Sequence, residues 1–195
     1  MKKSVITLLA LFLLTFKANA QTAWETDPVH SNALFTVTHL VVSEVTGHFK
    51  EFSATMESTK ADFSDSKVEA TIKTASISTD NDKRDGHLKS QDFFYAEKFP
   101  EIKFVSKSFT KTGDKTYKIA GDLTMRGVTK TIELNAVYKG SVKDPWGNTK
   151  TGWTATGSLN RFDYGLNWNS LIEAGGAVVG ETVNLQLNIA FVQKK

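Results

Sequence analysis

The chain has 195 residues and no cysteine, which excludes a disulfide framework and a lipid-modified cysteine. Its formal net charge of +3 comes from three lysines within residues 1–20, and the other 21 basic and 21 acidic residues balance. This balance removes the electrostatic argument for a nucleic-acid partner.

Residues 1–20 have the pattern of a secretory signal peptide. A basic start precedes an apolar run at residues 5–16, and a small-x-small sequence ends at Ala20. The apolar run is too short to span a bilayer, and no second such run follows. We therefore expect cleavage before Gln21, a periplasmic or secreted protein without an integral membrane anchor, and one domain at residues 21–195.

From Trp24 onward the main pattern is an alternation of apolar and polar residues with a period of two, which indicates strands with one buried face. It is clearest in the hairpin at 117–125 and 131–139, and again at 183–191. Less regular versions occur at 34–38, 49–56, 68–74, 102–108 and 153–159. The sequence therefore predicts about eight strands.

Helical patterns are few: one turn near residues 39–45 and a short helix at about 82–91, where Gly86 is unfavourable. Strands without helices to cover them must bury their apolar faces against each other. We expect an all-β fold, either a sandwich or a closed barrel, with loops at 143–152 and 173–180.

Small residues occupy several inward positions of the predicted strands: Ala70, Gly121, Ala136, Ala155 and Gly157. They could interdigitate with large neighbours in a packed core. Alternatively, they leave the barrel partly hollow, and an antiparallel barrel of about eight strands is wide enough for one slender ligand.

The four histidines, His30, His39, His48 and His87, lack metal-site spacing, and we expect no metal. The glycine-rich loop at 173–180 lacks the lysine and Ser/Thr of a phosphate loop.

Asp27, His30 and Ser31 supply the residue types of a catalytic triad. On one extended segment, however, His30 and Ser31 would point to opposite faces. We therefore expect a turn in which Asp27 and Ser31 bind backbone amides, and no catalytic residue.

Residues 84–104 combine polar and aromatic side chains at one end of the predicted sheet. Arg84, His87 and Leu88 share a helix face, and Phe93 and Phe94 follow them. These aromatic residues either plug the end of the barrel or line an entrance where Arg84 and His87 meet a polar head group.

Arg161 is the next inward residue after the apolar face formed by Trp153, Ala155, Gly157 and Leu159. An arginine in this position needs a carboxylate or a ligand anion. Asp163 lies on the same predicted side of the strand, and its carboxylate is the alternative partner of Arg161 to a ligand anion.

Five segments together resemble the YceI-like family of lipid- and polyisoprenoid-binding periplasmic proteins. They span most of the mature chain and are residues 27–49, 76–104, 121–130, 144–147, and 160–169 with 176–180. The resemblance implies a lipocalin-like antiparallel β-barrel with a long apolar channel for a polyisoprenoid or fatty-acyl chain, and no established catalysis. It also implies that residues 84–104 form the channel mouth, but it does not identify the lipid.

We therefore predict a carrier or sequestering protein for a linear isoprenoid or related long-chain lipid, such as a quinone-like molecule, with no other cofactor. The alternatives are a hydrolase or isomerase with His39 or His87 as base, and a packed barrel that acts through its surface. Transient membrane contact and a homodimer are compatible with this prediction. The predicted ligand-binding residues are Phe35, Val37, His39, Leu40, Arg84, His87, Leu88, Phe93, Phe94, Phe99, Ile102, Phe104, Leu123, Leu134, Trp153, Leu159, Arg161, Trp168 and Leu187.

Overall fold

Antiparallel strands run up and down around a closed barrel. The computed structural model describes residues 21–171 and 177–195, so the predicted signal peptide and residues 173–176 of the glycine-rich loop lie outside the described residues. The strands are β1 (Thr22–Thr26), β2 (Asn32–His39), β3 (Ser43–Phe49), β4 (Phe52–Ser58), β5 (Lys67–Lys73), β6 (Ile77–Ser78), β7 (Glu101–Lys111), β8 (Thr116–Met125), β9 (Val128–Lys143), β10 (Thr149–Asn160) and β11 (Val179–Gln193). The described residues also include helix α1 (Asp82–Lys89).

Short irregularities divide three of the wall strands. A 3-10 turn at Pro28–His30 separates β1 from β2, residues 50–51 separate β3 from β4, and a 3-10 turn at Thr74–Ser76 separates β5 from β6. Counting each pair as one bent strand gives eight wall strands, and β11 closes the ring by pairing with both β1 and β2. The predicted lipocalin-like all-β barrel of about eight strands is confirmed.

Strand parity places apolar side chains inside the barrel. In β11, Leu185 and Leu187 lie opposite Phe35 and Ala33 of β2. Gln186, between the two leucines, is exposed on the outer face. Successive side chains of a strand point to opposite faces, so one alternating sequence supplies both the interior and the wet surface.

Helix α1 agrees with the predicted short helix. Its first turn is capped by Asn81, whose side-chain oxygen accepts a 3.0 Å hydrogen bond from the backbone N–H of Arg84. Such a cap satisfies one of the N–H groups left free at a helix start. None of the helices in the described part of the chain is long and apolar enough to cross a membrane.

The predicted helical turn near residues 39–45 is wrong. Strands β2 and β3 pair as far as His39 and Ser43, so only three residues remain to reverse the chain. Leu40 and Val41 make the reversal with left-handed φ angles of 51° and 67°. Continued strand pairing leaves no room for helical hydrogen bonds.

The two ends of the barrel differ. The lower end holds the connections at 59–66, 112–115 and 144–148, and the upper end holds those at 40–42, 79–100, 126–127 and 161–171. At the lower end the Phe63 ring fills the opening: its centroid lies 5.8 Å from that of Trp24 and 5.4 Å from those of Tyr138 and Trp153. This cluster forms an aromatic plug.

Candidate functional site: a cavity inside the barrel

A cavity of about 230 Å³ lies inside the barrel. An apolar cavity of about 150 Å³ is already large enough to bind benzene. Every side chain that lines this cavity is apolar, with the exception of Arg161. The interior is therefore suited to hydrocarbon.

The small inward residues serve two different purposes. A Cβ atom at Gly157 would lie 2.7 Å from Cδ2 of Leu134, and one at Gly121 would lie 2.6 Å from the Val105 carbonyl oxygen and overlap the Phe104 ring. These glycines accommodate large neighbours, as the packed-core alternative proposed. Ala70, Ala136 and Ala155 line the cavity, as the hollow alternative proposed.

The aromatic plug marks the lower limit of the cavity. Trp153 and Phe109 line the cavity, and their ring centroids are 5.6 Å apart. Trp153 also contacts Phe63 of the plug. The upper end is narrowed by Leu88 of α1 and by Phe93 and Phe94 beyond it, which all line the cavity.

Arg161 is buried, with 3% of its surface exposed, and it binds main-chain oxygens. Its Nε donates a 2.8 Å hydrogen bond to Gly180 O, and Nη2 donates one of 3.1 Å to Val179 O. Its Nη1 donates to Trp168 O at 2.8 Å and also to Leu166 O. Burial lowers the pKa of the Arg161 guanidinium. Carbonyls thus accept from four of the five N–H donors of this side chain, which is also among the residues that line the cavity.

The predicted alternative, in which Asp163 is the partner of Arg161, is wrong. Asp163 instead accepts a 3.0 Å hydrogen bond from Lys130 Nζ. Strand β10 ends at Asn160, and Arg161–Tyr164 is a 3-10 turn, so the two-residue parity of a strand no longer relates Arg161 to Asp163.

The structure brings most of the predicted ligand-binding residues together around the cavity. Those that line it are Phe35, Val37, Leu88, Phe93, Phe94, Ile102, Phe104, Leu123, Leu134, Trp153, Leu159, Arg161 and Leu187. Those that are not part of the lining are His39, Leu40, Arg84, His87, Phe99 and Trp168.

The two polar residues predicted for the mouth have protein partners. Arg84 donates from Nε to Thr79 Oγ1 at 2.7 Å and from Nη2 to Thr79 O at 2.8 Å. His87 Nε2 lies 3.0 Å from Asp92 Oδ2, and its ring packs edge-on against Phe93 and Trp168 at 5.0 and 4.9 Å. Both side chains therefore make contacts within the protein that stabilise the upper end of the barrel.

Sequence reasoning missed other lining residues, including Met56, Phe109, Ile119 and Val183. The alternation that identified Leu187 and Leu123 extends to Val183 and Ile119, and Met56 alternates in the same way within β4. A register shift between Ser106 and Ser108 separates Phe109 from the alternation in the first half of β7. Applying strand parity to every predicted strand would have found Met56, Ile119 and Val183, but not Phe109, which lies beyond the predicted strand at 102–108 and on the opposite parity to Phe104.

The predicted turn at Asp27 is confirmed. Asp27 Oδ1 accepts a 3.1 Å hydrogen bond from Val29 N, and Ser31 Oγ accepts one of 2.9 Å from Ala190 N. His30 Nδ1 lies 2.9 Å from Asp27 Oδ2. Across the described ranges, no group of three or more His, Asp and Glu residues is arranged to hold a metal ion.

Fold and cavity together define a lipocalin-like barrel with an apolar interior. The model of the YceI-like domain matches residues 24–191, and the chain belongs to the YceI-like family. A UPF0312 protein of Staphylococcus aureus (strain MSSA476) is 40% identical over 166 residues, which are 85% of this chain and 94% of that protein.

Solved structures of similar fold include a Campylobacter jejuni YceI protein. It is 34% identical with a TM-score of 0.70, and the match covers 81% of this chain and 90% of that one. BcnA of Burkholderia cenocepacia has a TM-score of 0.74 at 18% identity, with 85% and 98% of the two chains covered. A polyisoprenoid-binding domain from Saccharophagus degradans has a TM-score of 0.63 at 15% identity, with 89% and 99% covered.

Proposed function

We propose that this protein binds a linear isoprenoid or a related long-chain lipid, such as a quinone-like molecule, inside the barrel. The observation that carries the proposal is the continuous apolar lining of the cavity. Small-molecule sites are concave and largely apolar, and this interior offers almost no polar partner to any other class of ligand. The polyisoprenoid-binding domain from Saccharophagus degradans, similar in fold, supports the same assignment.

Affinity comes from the hydrocarbon tail. Burial of each CH₂ group contributes about 0.8 kcal/mol. About a dozen buried carbons therefore outweigh the loss of translational and rotational freedom on binding. Because four of the five N–H donors of Arg161 bind carbonyls, the cavity offers a polar head group little to bind. The lipid therefore binds tail first, with its head at the upper end.

The role that follows is that of a carrier or sequestering protein outside the cytoplasm. Export rests on the sequence pattern at residues 1–20. The intact mass of the exported protein should correspond to a chain that starts at Gln21. A mass that retains the leader would contradict export by cleavage.

The protein acts as a binder rather than an enzyme under this proposal. A histidine base must come within hydrogen-bonding reach of the proton that it removes. His39 and His87, the two candidate bases, are not among the residues that line the cavity. Turnover of a lipid or ester substrate that is lost when both histidines are replaced by alanine would overturn this assignment.

The decisive experiment is mass spectrometry of an organic extract from protein purified without detergent. We expect a co-purified long-chain lipid in stoichiometric amount. For the control, Leu187→Trp, which fills the cavity, should be purified in the same way and should retain less lipid. An extract without lipid, together with no uptake of added isoprenoids of any length, would refute the proposal.

A further inference from the structure

Four exposed apolar side chains lie together at the upper end of the barrel. Leu40, Val41 and Val42 form the β2–β3 connection and are 39%, 62% and 88% exposed, and Leu171 is 85% exposed. The Leu40 N–H donates a 2.9 Å hydrogen bond to Val178 O, and Val178 N donates one of 2.9 Å to Ser170 O, next to Leu171. We call Leu40, Val41, Val42 and Leu171 the apolar rim.

The rim adjoins two strands that line the cavity. Val37, three residues before the β2–β3 connection begins at Leu40, lines the cavity, and so does Val179, which pairs with His39. In the described part of β3, pairing with β6 involves only His48 and Phe49, so the upper part of β3 is paired with β2 alone. Along β2, Thr38 and His39 separate the lining residue Val37 from Leu40 of the rim.

The backbone at the rim is held in an unfavourable conformation. Leu40 and Val41 have left-handed φ angles, which are rare for bulky residues and exceptional for β-branched ones. Asn-Gly is the sequence that hairpins prefer when both residues have positive φ. Residues held in such strained conformations cluster at functional positions. The chain therefore gives up stability to present leucine and valine to solvent.

We propose that the apolar rim docks on the surface of a lipid bilayer, from which the barrel takes up or to which it delivers its lipid. This inference rests on the proposed function, because a ligand that fills an apolar cavity resides in membranes rather than in water. Isolated apolar side chains at a protein surface need no explanation, but a contiguous group beside a lipid cavity does.

The size of the rim favours a bilayer over a second protein. Full burial of a leucine or valine side chain contributes about 1.5–3 kcal/mol, at about 25 cal/mol per Å² of apolar surface. Each of the four rim side chains therefore buries roughly 60–120 Å². That area is well below the roughly 800 Å² per partner of a stable protein interface. Shallow insertion into the head-group region needs only a small apolar surface. Glu44 and Glu181, exposed close to the rim, favour a bilayer without net negative charge.

The test is flotation of the protein with phosphatidylcholine vesicles. The main variant is Leu40→Asn/Val41→Gly, which removes two apolar side chains and installs residues suited to positive φ. We expect it to bind vesicles about tenfold more weakly, which is about 1.4 kcal/mol, and to melt about 2–4 °C higher than the parent. A loss of binding together with a gain in stability cannot come from misfolding.

Two further variants complete the design. Val42→Ser lies outside the left-handed positions and should also weaken flotation, with the melting temperature unchanged. Trp146→Ser, at an 80% exposed position of the lower end, should float like the parent. The inference is overturned if the parent does not float, if the Asn-Gly variant floats like the parent, or if Trp146→Ser abolishes flotation. It is also overturned if the parent is a dimer that the Asn-Gly variant converts to a monomer, since the rim would then be a protein interface.

The lipid content of detergent-free preparations separates this inference from the proposed function. Protein that carries lipid but does not float with vesicles refutes the docking surface and leaves the lipid-binding function standing. Protein that floats through the rim but carries and takes up no lipid refutes the function instead. In the supporting result, the Asn-Gly variant reaches the same final lipid content as the parent but acquires lipid from vesicles more slowly.

Discussion

The Nε of Arg161 lies 2.8 Å from the main-chain oxygen of Gly180, and this hydrogen bond joins the turn after β10 to the start of β11. Further hydrogen bonds from the same guanidinium reach the carbonyls of Trp168 and Val179. One buried side chain thus holds three segments of the upper end together. Its role in stability can be measured apart from lipid binding.

Replacing Arg161 by methionine should lower the free energy of unfolding by about 3 kcal/mol, because buried carbonyl oxygens lose their donors. Arg161→Lys keeps the charge but not the planar fork, and we expect it to restore only part of the loss. Urea unfolding of both variants checks this. If Arg161→Lys were as stable as the parent, charge rather than the multiple hydrogen bonds would be what matters.

Two glycines should respond in opposite directions to alanine. Gly121→Ala would place a Cβ 2.6 Å from the Val105 carbonyl oxygen and against the Phe104 ring, so we expect a loss of about 1–3 kcal/mol. Gly86, in α1, has no atom within 4 Å of the position that an added Cβ would occupy, and Gly86→Ala should stabilise the protein by about 0.5–1 kcal/mol. Thermal melts of the two variants test the packing, and a gain for Gly121→Ala would contradict it.

Leu187→Trp tests the cavity directly. Leu187 lines the cavity in the middle of β11, so the larger ring should block it and shorten the longest isoprenoid that binds. Gln186→Trp, on the exposed outer face, is the matched control and should leave binding unchanged. Asn188 is a poorer control, since its amide donates a 2.8 Å hydrogen bond to Asn32.

The measurement is binding of an isoprenoid length series to both tryptophan variants, with thermal melting alongside. A solid interior would respond to Leu187→Trp with overpacking, at a cost of about 1–3 kcal/mol. A destabilised Leu187→Trp protein, together with a parent that binds no lipid of any length, would therefore establish a packed barrel.

Asp27 should make stability depend on pH in the acid range. The hydrogen bond from Lys150 Nζ, 2.8 Å from Asp27 Oδ2, is the main cause that lowers the pKa of Asp27 to about 2. The pKa is about 3.9 in an unfolded chain. Because the folded-state pKa is the lower one, ionised Asp27 stabilises the fold above about pH 4, and this contribution is lost as the pH falls to about 2.

Urea midpoints of the parent and of Asp27→Asn should therefore differ most at neutral pH and converge between about pH 4 and about pH 2. Lys150→Met should reduce the same acid-range dependence, because it removes the main partner of the carboxylate. A difference between parent and Asp27→Asn that stays constant from neutral pH to about pH 2 would show that this ion pair does not contribute.

Strand parity predicted much of the cavity because it follows from local chain geometry. The alternation in β11 placed Leu187 inside, and the same rule applied to β8 and β9 placed Leu123 and Leu134 there. The alternation of side chains between two faces does not continue beyond the end of a strand. The partners of Arg161 are main-chain carbonyls, which every residue has, so no side-chain pattern in the sequence could identify them.

Two further features were beyond sequence reasoning for related reasons. Phe63 plugs the lower end from a connection between strands, in a left-handed conformation with φ of 59°, and an isolated phenylalanine among polar residues gives no periodic pattern. The reversal at Leu40 and Val41 lacks the glycine or asparagine that usually marks a hairpin. Both depend on contacts between segments distant in sequence.

The closure of the barrel by β11 affects how the protein folds during its synthesis. Most wall strands pair with a neighbour in sequence, but β1 and β2 pair with β11, the last strand in the chain order described. Such contacts between distant segments form late and slow the search for the native state. Until Gln193 has left the ribosome, two strand edges remain open and the hydrocarbon-lined interior faces water. The barrel therefore cannot close during synthesis, and its two open strand edges can pair with other chains until the final strand is complete.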